Sequence, residues 1–432
     1  MPRPLPRRQA RPIGRLPLGC LLAGALALGG CGAPGAAKHV APSVEAAAAR
    51  DVAWPTAINA HPLAPRSAPS EQPPGSASPT PAPAAPSALP PEVEPLPPPV
   101  EPEPAPSALP PEGALAPVPA VLDAGAHRLA GLTHTWQKWN NCGPSSAVMA
   151  LSAFGIARDQ LEAAAELKPH DRDTNVTPDE LAAYLGRQGL EALVRPGGNR
   201  ERVRALLRAG VPVLAEQWIA VDGRGEMGHY RVLFGFDDVL GVVLAMDSYY
   251  GANRAIPYDV LEAEWRPFLG TYVVGFLPGQ RDAVLAALGP DRDAGAAWAR
   301  VSAILEGEAA GGGKGAAWTW FALGEARERT GDGAGAIGAF ERAIAFGLPV
   351  RAFWYQFGYA RALAAAGAWD RLLAHADATV GTMDGQNLEE WHFWRGQALR
   401  ALGREVEAVA AFERALAFNA NLAPARAALG AR

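Results

Sequence analysis

A chain of 432 residues has room for two or three domains, each with its own core. Its 39 Lys and Arg against 44 Asp and Glu leave a near-balanced surface, which argues against a dedicated nucleic-acid binder with a basic stripe. Cys20 and Cys31 lie in an N-terminal apolar segment, so Cys142 is alone in the body of the chain. A lone thiol cannot close an internal disulfide and is either a buried small hydrophobe or a nucleophile.

The first fifteen residues carry Arg3, Arg7, Arg8, Arg11 and Arg15 and no acid, and an apolar run over 16–30 follows. This is the pattern of a signal peptide (residues 1–30), too short for the ~20 apolar residues of a spanning helix. It ends in Leu28-Gly29-Gly30-Cys31, which resembles a bacterial lipobox. That resemblance implies export, lipidation at Cys31 and attachment to the cell envelope, with contact to the membrane only through the lipid. Gly32, in place of Asp, implies the outer membrane where the organism has one. A plain secretory signal with an incidental cysteine is the alternative.

Residues 31–125 read as a disordered linker. Within 62–119 there are 22 prolines among 58 residues, and the octapeptide Ala-Pro-Ser-Ala-Leu-Pro-Pro-Glu occurs twice, from Ala85 and from Ala105. Such a stretch cannot bury enough surface to offset chain ordering, and proline makes it a semi-rigid spacer. Binding to a proline-reading domain is the functional alternative.

Order is expected from about Ala126. After Cys142 the apolar residues Ala147, Val148, Ala150, Leu151 and Phe154 recur at helical spacing, and Pro144 suits a first helical turn. Cys142 then opens a buried helix, where unpaired amides and the helix dipole favour the thiolate. Gln137, five residues earlier, can aim its amide N–H at the same spot and complete an oxyanion hole with the Cys142 backbone N–H. A cysteine nucleophile also needs a base and a group that orients it. Residues 211–215 read as a buried strand, 228–238 as a strand running into a turn, and 241–248 as a strand closed by an acid. His229 and Asp247 thus lie at strand ends on a hairpin. His134 and His170 are rival bases, but one precedes the helix and the other sits in a polar loop, so both read as surface residues. Asp237 and Asp238 are rival orienters in the turn between the strands.

The series Gln137, Cys142-Gly143, Gly228-His229-Tyr230 and Asp247 resembles the papain-clan cysteine-peptidase family thirty-nine, which includes bacteriocin leader-processing peptidases and solitary relatives. The resemblance covers roughly 126–278. It implies an α+β papain-like cysteine-peptidase domain over 126–280 acting on a peptide or protein substrate without a cofactor. It assigns Cys142 as nucleophile, His229 as general base, Asp247 as orienter and Gln137 as oxyanion donor. Asn141 and Ser248 depart from the family, where Asp and Pro are common at those places. Residues 311–315 are glycine-rich but no Ser or Thr follows Lys314, so they form no phosphate loop.

Residues 291–432 read as an all-α array. Gly324, Gly331, Ala336, Phe340 and Ala343 are matched at the same offsets by Gly396, Gly403, Ala408, Phe412 and Ala415, with a looser copy around Trp354, Phe357, Gly358 and Gly367. Gly324, Gly358 and Gly396 are 34 and 38 residues apart, which resembles tetratricopeptide repeats. Most of Trp320, Trp354, Trp391 and Trp394 are expected in its core, and its concave face to bind an unidentified protein partner. His, Cys and acids do not cluster at metal-ligand spacing. The functional readings are a cysteine peptidase, a catalytically silent peptide-binding adaptor, or a transglutaminase-like acyl transferase with the same Cys, His, Asp order.

Overall fold

The computed structural model describes residues 125–430 except 222–224, 313–314 and 384, so the expected signal sequence, Cys31 and the proline-rich stretch lie outside the described residues. The first described part alternates strands and helices: β1 (Ala126–Arg128), α1 (Cys142–Ser152), α2 (Gln160–Leu167), α3 (Pro178–Arg187), β2 (Glu191–Arg195), α4 (Arg200–Arg208), β3 (Val213–Val221), β4 (Gly225–Asp237), β5 (Val242–Asp247), β6 (Gly251–Pro257), α5 (Tyr258–Trp265), β7 (Tyr272–Phe276) and α6 (Arg281–Leu288). The strands form one antiparallel sheet in the order β2-β7-β3-β4-β5-β6, with β1 added on β4.

Both faces of this sheet are covered, and β5 up to Asp247 and β7 show it as unbroken apolar runs. Along β5 the period of two sends Val242, Leu244 and Met246 into a core with α1, α2 and α3, while Val243 and Ala245 enter a second core with α4, α5 and α6. In β4, Val232 and Phe234 join the first core and Leu233 the second. Phe236 breaks that alternation and joins the second as well, because the β4–β5 register shifts between Leu233 and Gly235. A bulge adds one residue and re-aims the side chains after it. Gly235 has to be glycine there, since a Cβ would stand 2.8 Å from the His127 carbonyl oxygen of β1.

A helical region follows: α7 (Ala294–Gly311), α8 (Ala316–Arg329), α9 (Gly333–Ala345), α10 (Gly358–Ala365), α11 (Trp369–Val380), α12 (Glu389–Ala401), α13 (Glu405–Phe418) and α14 (Ala423–Gly430). Trp354, Trp391 and Trp394 are buried in its core with Phe321, Phe340 and Phe412, whereas Trp320 is half-buried at the edge of that core under the Arg342 guanidinium. Asp291 fastens this region to the sheet: its buried carboxylate accepts from Arg202 of α4 at 2.8 Å and twice from Arg300 of α7 at 2.9 and 2.7 Å. Among the described residues no helix is long and apolar enough to cross a membrane.

The recurring glycines of the helical region have a packing reason. A Cβ at Gly324 would lie 2.8 Å from the Phe340 ring, and one at Gly396 would lie 2.6 Å from the Phe412 ring, so each glycine lets a helix close onto the aromatic sixteen residues later. Both rings are fully buried and have nowhere to go. Gly396→Ala is therefore expected to destabilise by about 1–2 kcal/mol net, an overpacking cost at the upper end of ~1–3 kcal/mol outweighing the ~1 kcal/mol that alanine gains in helix propensity. Gly338→Ala in α9 supplies the control, because a Cβ there meets nothing within 4 Å. It should raise the midpoint of a thermal melt while Gly396→Ala lowers it.

Candidate active site

Cys142 is the first residue of α1, half-buried at the wall of a small cavity. No side chain caps this helix, so its first amides remain directed at whatever occupies the N-terminus. The preceding turn is fixed from several sides. Asn140 adopts a left-handed conformation, φ 55°, which asparagine tolerates better than most residues, and its Nδ2 donates to the Asp173 carbonyl at 2.8 Å. The Gln160 side chain, reaching over from α2, accepts from the Lys138 N–H at 2.7 Å and the Ser145 hydroxyl at 3.1 Å, and donates to the Trp136 carbonyl at 2.7 Å. One buried amide therefore ties the segment before the cysteine to the helix after it.

The neighbouring strands set the other groups. Ser146 Oγ donates to the Tyr230 carbonyl at 3.2 Å and so pins α1 onto β4 one residue from His229. Register places Arg231 of β4 opposite Asp247 of β5, with His229 two residues along the same face. His229 Nε2 lies 2.9 Å from Asp247 Oδ1, and the imidazole also hydrogen-bonds the Cys142 thiol. Since Nε2 is taken by the carboxylate, Nδ1 is the nitrogen that serves the thiol. Asp247 Oδ2 accepts from Arg231 Nε at 2.7 Å, and Arg231 also pairs with Glu264 and with Gln217. The Tyr249 and Tyr250 N–H groups complete the carboxylate shell, at 2.8 and 2.9 Å from Oδ1.

Charge follows from these contacts. Burial opposes ionisation of Cys142, but the hydrogen bond and charge of His229, with backbone N–H groups of Tyr230 and Gly143, outweigh it and lower the thiol pKa. Burial likewise opposes the imidazolium, yet the charge and hydrogen bond of Asp247 together with the thiolate raise His229 to about 9. Asp247 is buried too, but His229 and Arg231 hold it well below the usual carboxylate range. The two shifts on Cys142 and His229 favour the same state, a thiolate beside an imidazolium.

Of the four candidates read from the sequence, Cys142, His229 and Asp247 stand in one hydrogen-bonded line. Gln137 is tied to the residue after Asp247: its Oε1 accepts from Ser248 Oγ at 2.8 Å and its backbone N–H donates to the Ser248 carbonyl at 2.9 Å. Ser248 thus has a specific use in this chain, orienting the Gln137 amide. The surface reading of His134 needs correction. The ring is half-buried, with Nε2 2.9 Å from the Asp247 carbonyl, because the segment before α1 folds back along the end of β5. His170 is half-buried in its loop, its Nδ1 accepting from the Arg172 N–H at 3.0 Å. Asp237 accepts from the Val239 and Leu240 N–H groups as a turn residue, and Asp238 pairs with Arg204.

Arg231 and Glu216 went unread in the sequence. Glu216 lies opposite Tyr230 on β3 and lines the cavity beside Cys142. Burial, then the nearby thiolate, pushes its carboxyl well above the ordinary range, while a hydrogen bond from Tyr230 pulls the other way. A buried acid inside an apolar-reading strand was the available signal, since Glu is rarely fully buried without a partner.

Residues 130–273 match the family model described as the Peptidase_C39 like family. This C39-like domain also aligns with a double glycine motif protease from an AMS/PCAT transporter solved with its leader peptide, at 15% identity and TM-score 0.26, covering 34% of this chain and 94% of that one. The peptidase domain of Streptococcus ComA, a bi-functional ABC transporter involved in a quorum sensing pathway, aligns at 14% identity and TM-score 0.27, covering 34% of this chain and 98% of that one. Comparison with curated proteins gives no match.

Proposed function

We propose that the C39-like domain is a thiol peptidase of papain-like construction. The observation that carries this reading is the hydrogen-bonded line from the helix-opening, half-buried Cys142 through the buried His229 to the buried Asp247. In it the Cys142 thiolate attacks a peptide carbonyl, and the oxyanion is met by the Cys142 backbone N–H and the Gln137 amide. His229, as imidazolium, gives its proton to the leaving amine, which departs as the thioester forms. It then takes a proton from water, which attacks the thioester, and the carboxylic acid product leaves as the thiolate is restored beside the imidazolium. Asp247 holds the ring and stabilises its charge. The same reading makes the chain an exported lipoprotein anchored through Cys31, with 31–125 as its spacer. The peptidase domain then spans 126–280 and a tetratricopeptide array that binds a protein partner spans 291–432.

The test is labelling of the chain by a thiol-directed peptidase inhibitor across pH, for wild type and His229→Ala. Wild type should react rapidly well below the ~8.5 at which a free thiol ionises. His229→Ala should lose about 10²-fold or more near neutrality, because proton transfer and thiolate stabilisation disappear together. Equal curves rising only near the free-thiol pKa in both proteins would refute the peptidase and leave a peptide-binding adaptor.

A further inference from the structure

Among the described residues that line the cavity at Cys142, Tyr355 comes from the helical region. Between α9 and α10 the chain makes a short 3-10 turn, Val350–Trp354, and the next residue, Tyr355, lines the cavity that also holds Cys142, Glu216, Met227 and Gly228. Its ring lies flat against the backbone that leads into His229: a Cβ on Gly228 would be 2.8 to 3.0 Å from three ring atoms. The Gly228 N–H bonds the phenol oxygen. Behind the ring stand Trp218 and Phe268, with centroids at 5.9 and 5.7 Å, and Trp318 of α8 packs on Trp218 at 4.9 Å. The flanks are tied to the C39-like domain as well, Arg351 Nη1 donating to the Glu226 carbonyl at 2.7 Å and Gln356 Nε2 to the Pro267 carbonyl at 2.9 Å. A ring held on every side is a wall and not a lid.

The space left beside the thiol is about 40 Å³, enough for a few waters or a short side chain. Opening it needs no change in the C39-like domain itself, only removal of the ring that the helical region supplies. We propose that Tyr355 determines the specificity of the peptide site by closing the pocket beside Cys142, so that only a short side chain next to the scissile carbonyl enters. The inference rests on the peptidase reading above. It makes the helical region part of the substrate site in addition to any partner it binds.

The test uses the full chain as wild type, Tyr355→Phe, Tyr355→Leu and Tyr355→Ala. The probes are peptidyl vinyl sulfones carrying Ala, Leu or Phe at either of the two residues before the electrophile, with each rate divided by the iodoacetamide rate of the same protein. Wild type should favour Ala over Phe by ~10–100-fold at one of these residues, the range that a tight pocket achieves for a few extra carbons. Tyr355→Phe should keep that ratio, because the ring is the wall. Tyr355→Ala should lower it at least tenfold. If the alanine variant melts early, Tyr355→Leu retains an apolar contact for Trp218 and Phe268 and should show an intermediate ratio. A ratio unchanged in Leu and Ala variants, or absent in wild type, overturns the proposal while leaving the peptidase reading intact. A wild-type thiol that reacts with iodoacetamide no faster than free cysteine removes both.

Discussion

Asp247→Ala is expected to abolish rapid thiol labelling and to cost the fold about 3–5 kcal/mol, the range for breaking a buried ion pair by removing one partner. The carboxylate is 1% exposed and receives His229, Arg231 and two backbone N–H groups. Without it Arg231, 6% exposed, retains only Glu264 and Gln217, and the Tyr249–Tyr250 turn loses its acceptor. Asp247→Asn separates charge from shape, since the amide oxygen can still accept while the negative charge is gone. The sign of the pH effect follows from the shifts. His229 is raised to about 9, so its contribution to stability is complete below the unfolded value of ~6.5 and is lost as pH rises through about 9. Asp247 is depressed, so its contribution is present above ~3.9 and is lost as pH falls through its folded value. In wild type, labelling by a reagent that needs the imidazolium should therefore persist to about pH 9 before falling, and urea stability should drop in acid. Asp247→Asn should move the upper limb down and flatten the acid limb. Wild-type labelling by the Asn variant over the whole pH range would show that Asp247 does not govern the pair.

The parts of this site that the sequence displays are the local ones. Cys142 at a helix start is written in Pro144 and in the apolar spacing that follows, and His229 and Asp247 are written in runs whose ends are marked by Gly228 and by the turn after Ser248. The packing glycines could be read because Gly324 to Phe340 and Gly396 to Phe412 share one spacing on paired helices. What stays hidden depends on contacts between distant segments. Gln160 looks like any helical glutamine until α2 folds back on 136–145. Ser248 reads as a departure from a family pattern until Gln137 is placed against it. Glu216 and Arg231 occupy strand positions that period alone would assign to apolar residues, and the partners that permit them come from β5 and α5 and from Tyr230. Tyr355 belongs to another region altogether, 126 residues from His229, and nothing local marks it.

Glu390→Gln should stabilise the chain near pH 8, by ~1.4 kcal/mol for each unit by which the fold raises the carboxyl pKa, and change little near pH 5. The loop that carries Thr174, Asn175 and Val176 along the cavity is buttressed from the helical region by a cluster of acids. Asp173, Glu389 and Glu390 are at most 2% exposed, and one oxygen of each lacks a hydrogen-bond partner. Asn175 Nδ2 donates to Glu390 at 2.9 Å and Asn419 Nδ2 to Glu389 at 3.1 Å. Burial first, then their mutual repulsion, raises all three carboxyls well above the ordinary range, with Glu180 adding to the repulsion. Lys168 faces them but is itself buried, and burial lowers its pKa against the pull of Asp173. A carboxyl whose folded pKa is raised contributes stability that is full below its unfolded value of ~4 and fades as pH rises through the folded value. The contact between loop and α12 should thus tighten in mild acid and weaken toward alkaline pH, and glutamine, which holds no charge, should remove part of that dependence while keeping an acceptor for Asn175. Thermal melts of wild type and Glu390→Gln from pH 5 to pH 8 decide it: parallel curves, or a variant less stable than wild type at pH 8, would mean that Glu390 remains ionised and paired in the fold. Because the same loop forms one side of the cavity at Cys142, a widening gap between the curves would mean that a wall of the thiol site is held by a pH-sensitive contact made more than 200 residues away in sequence.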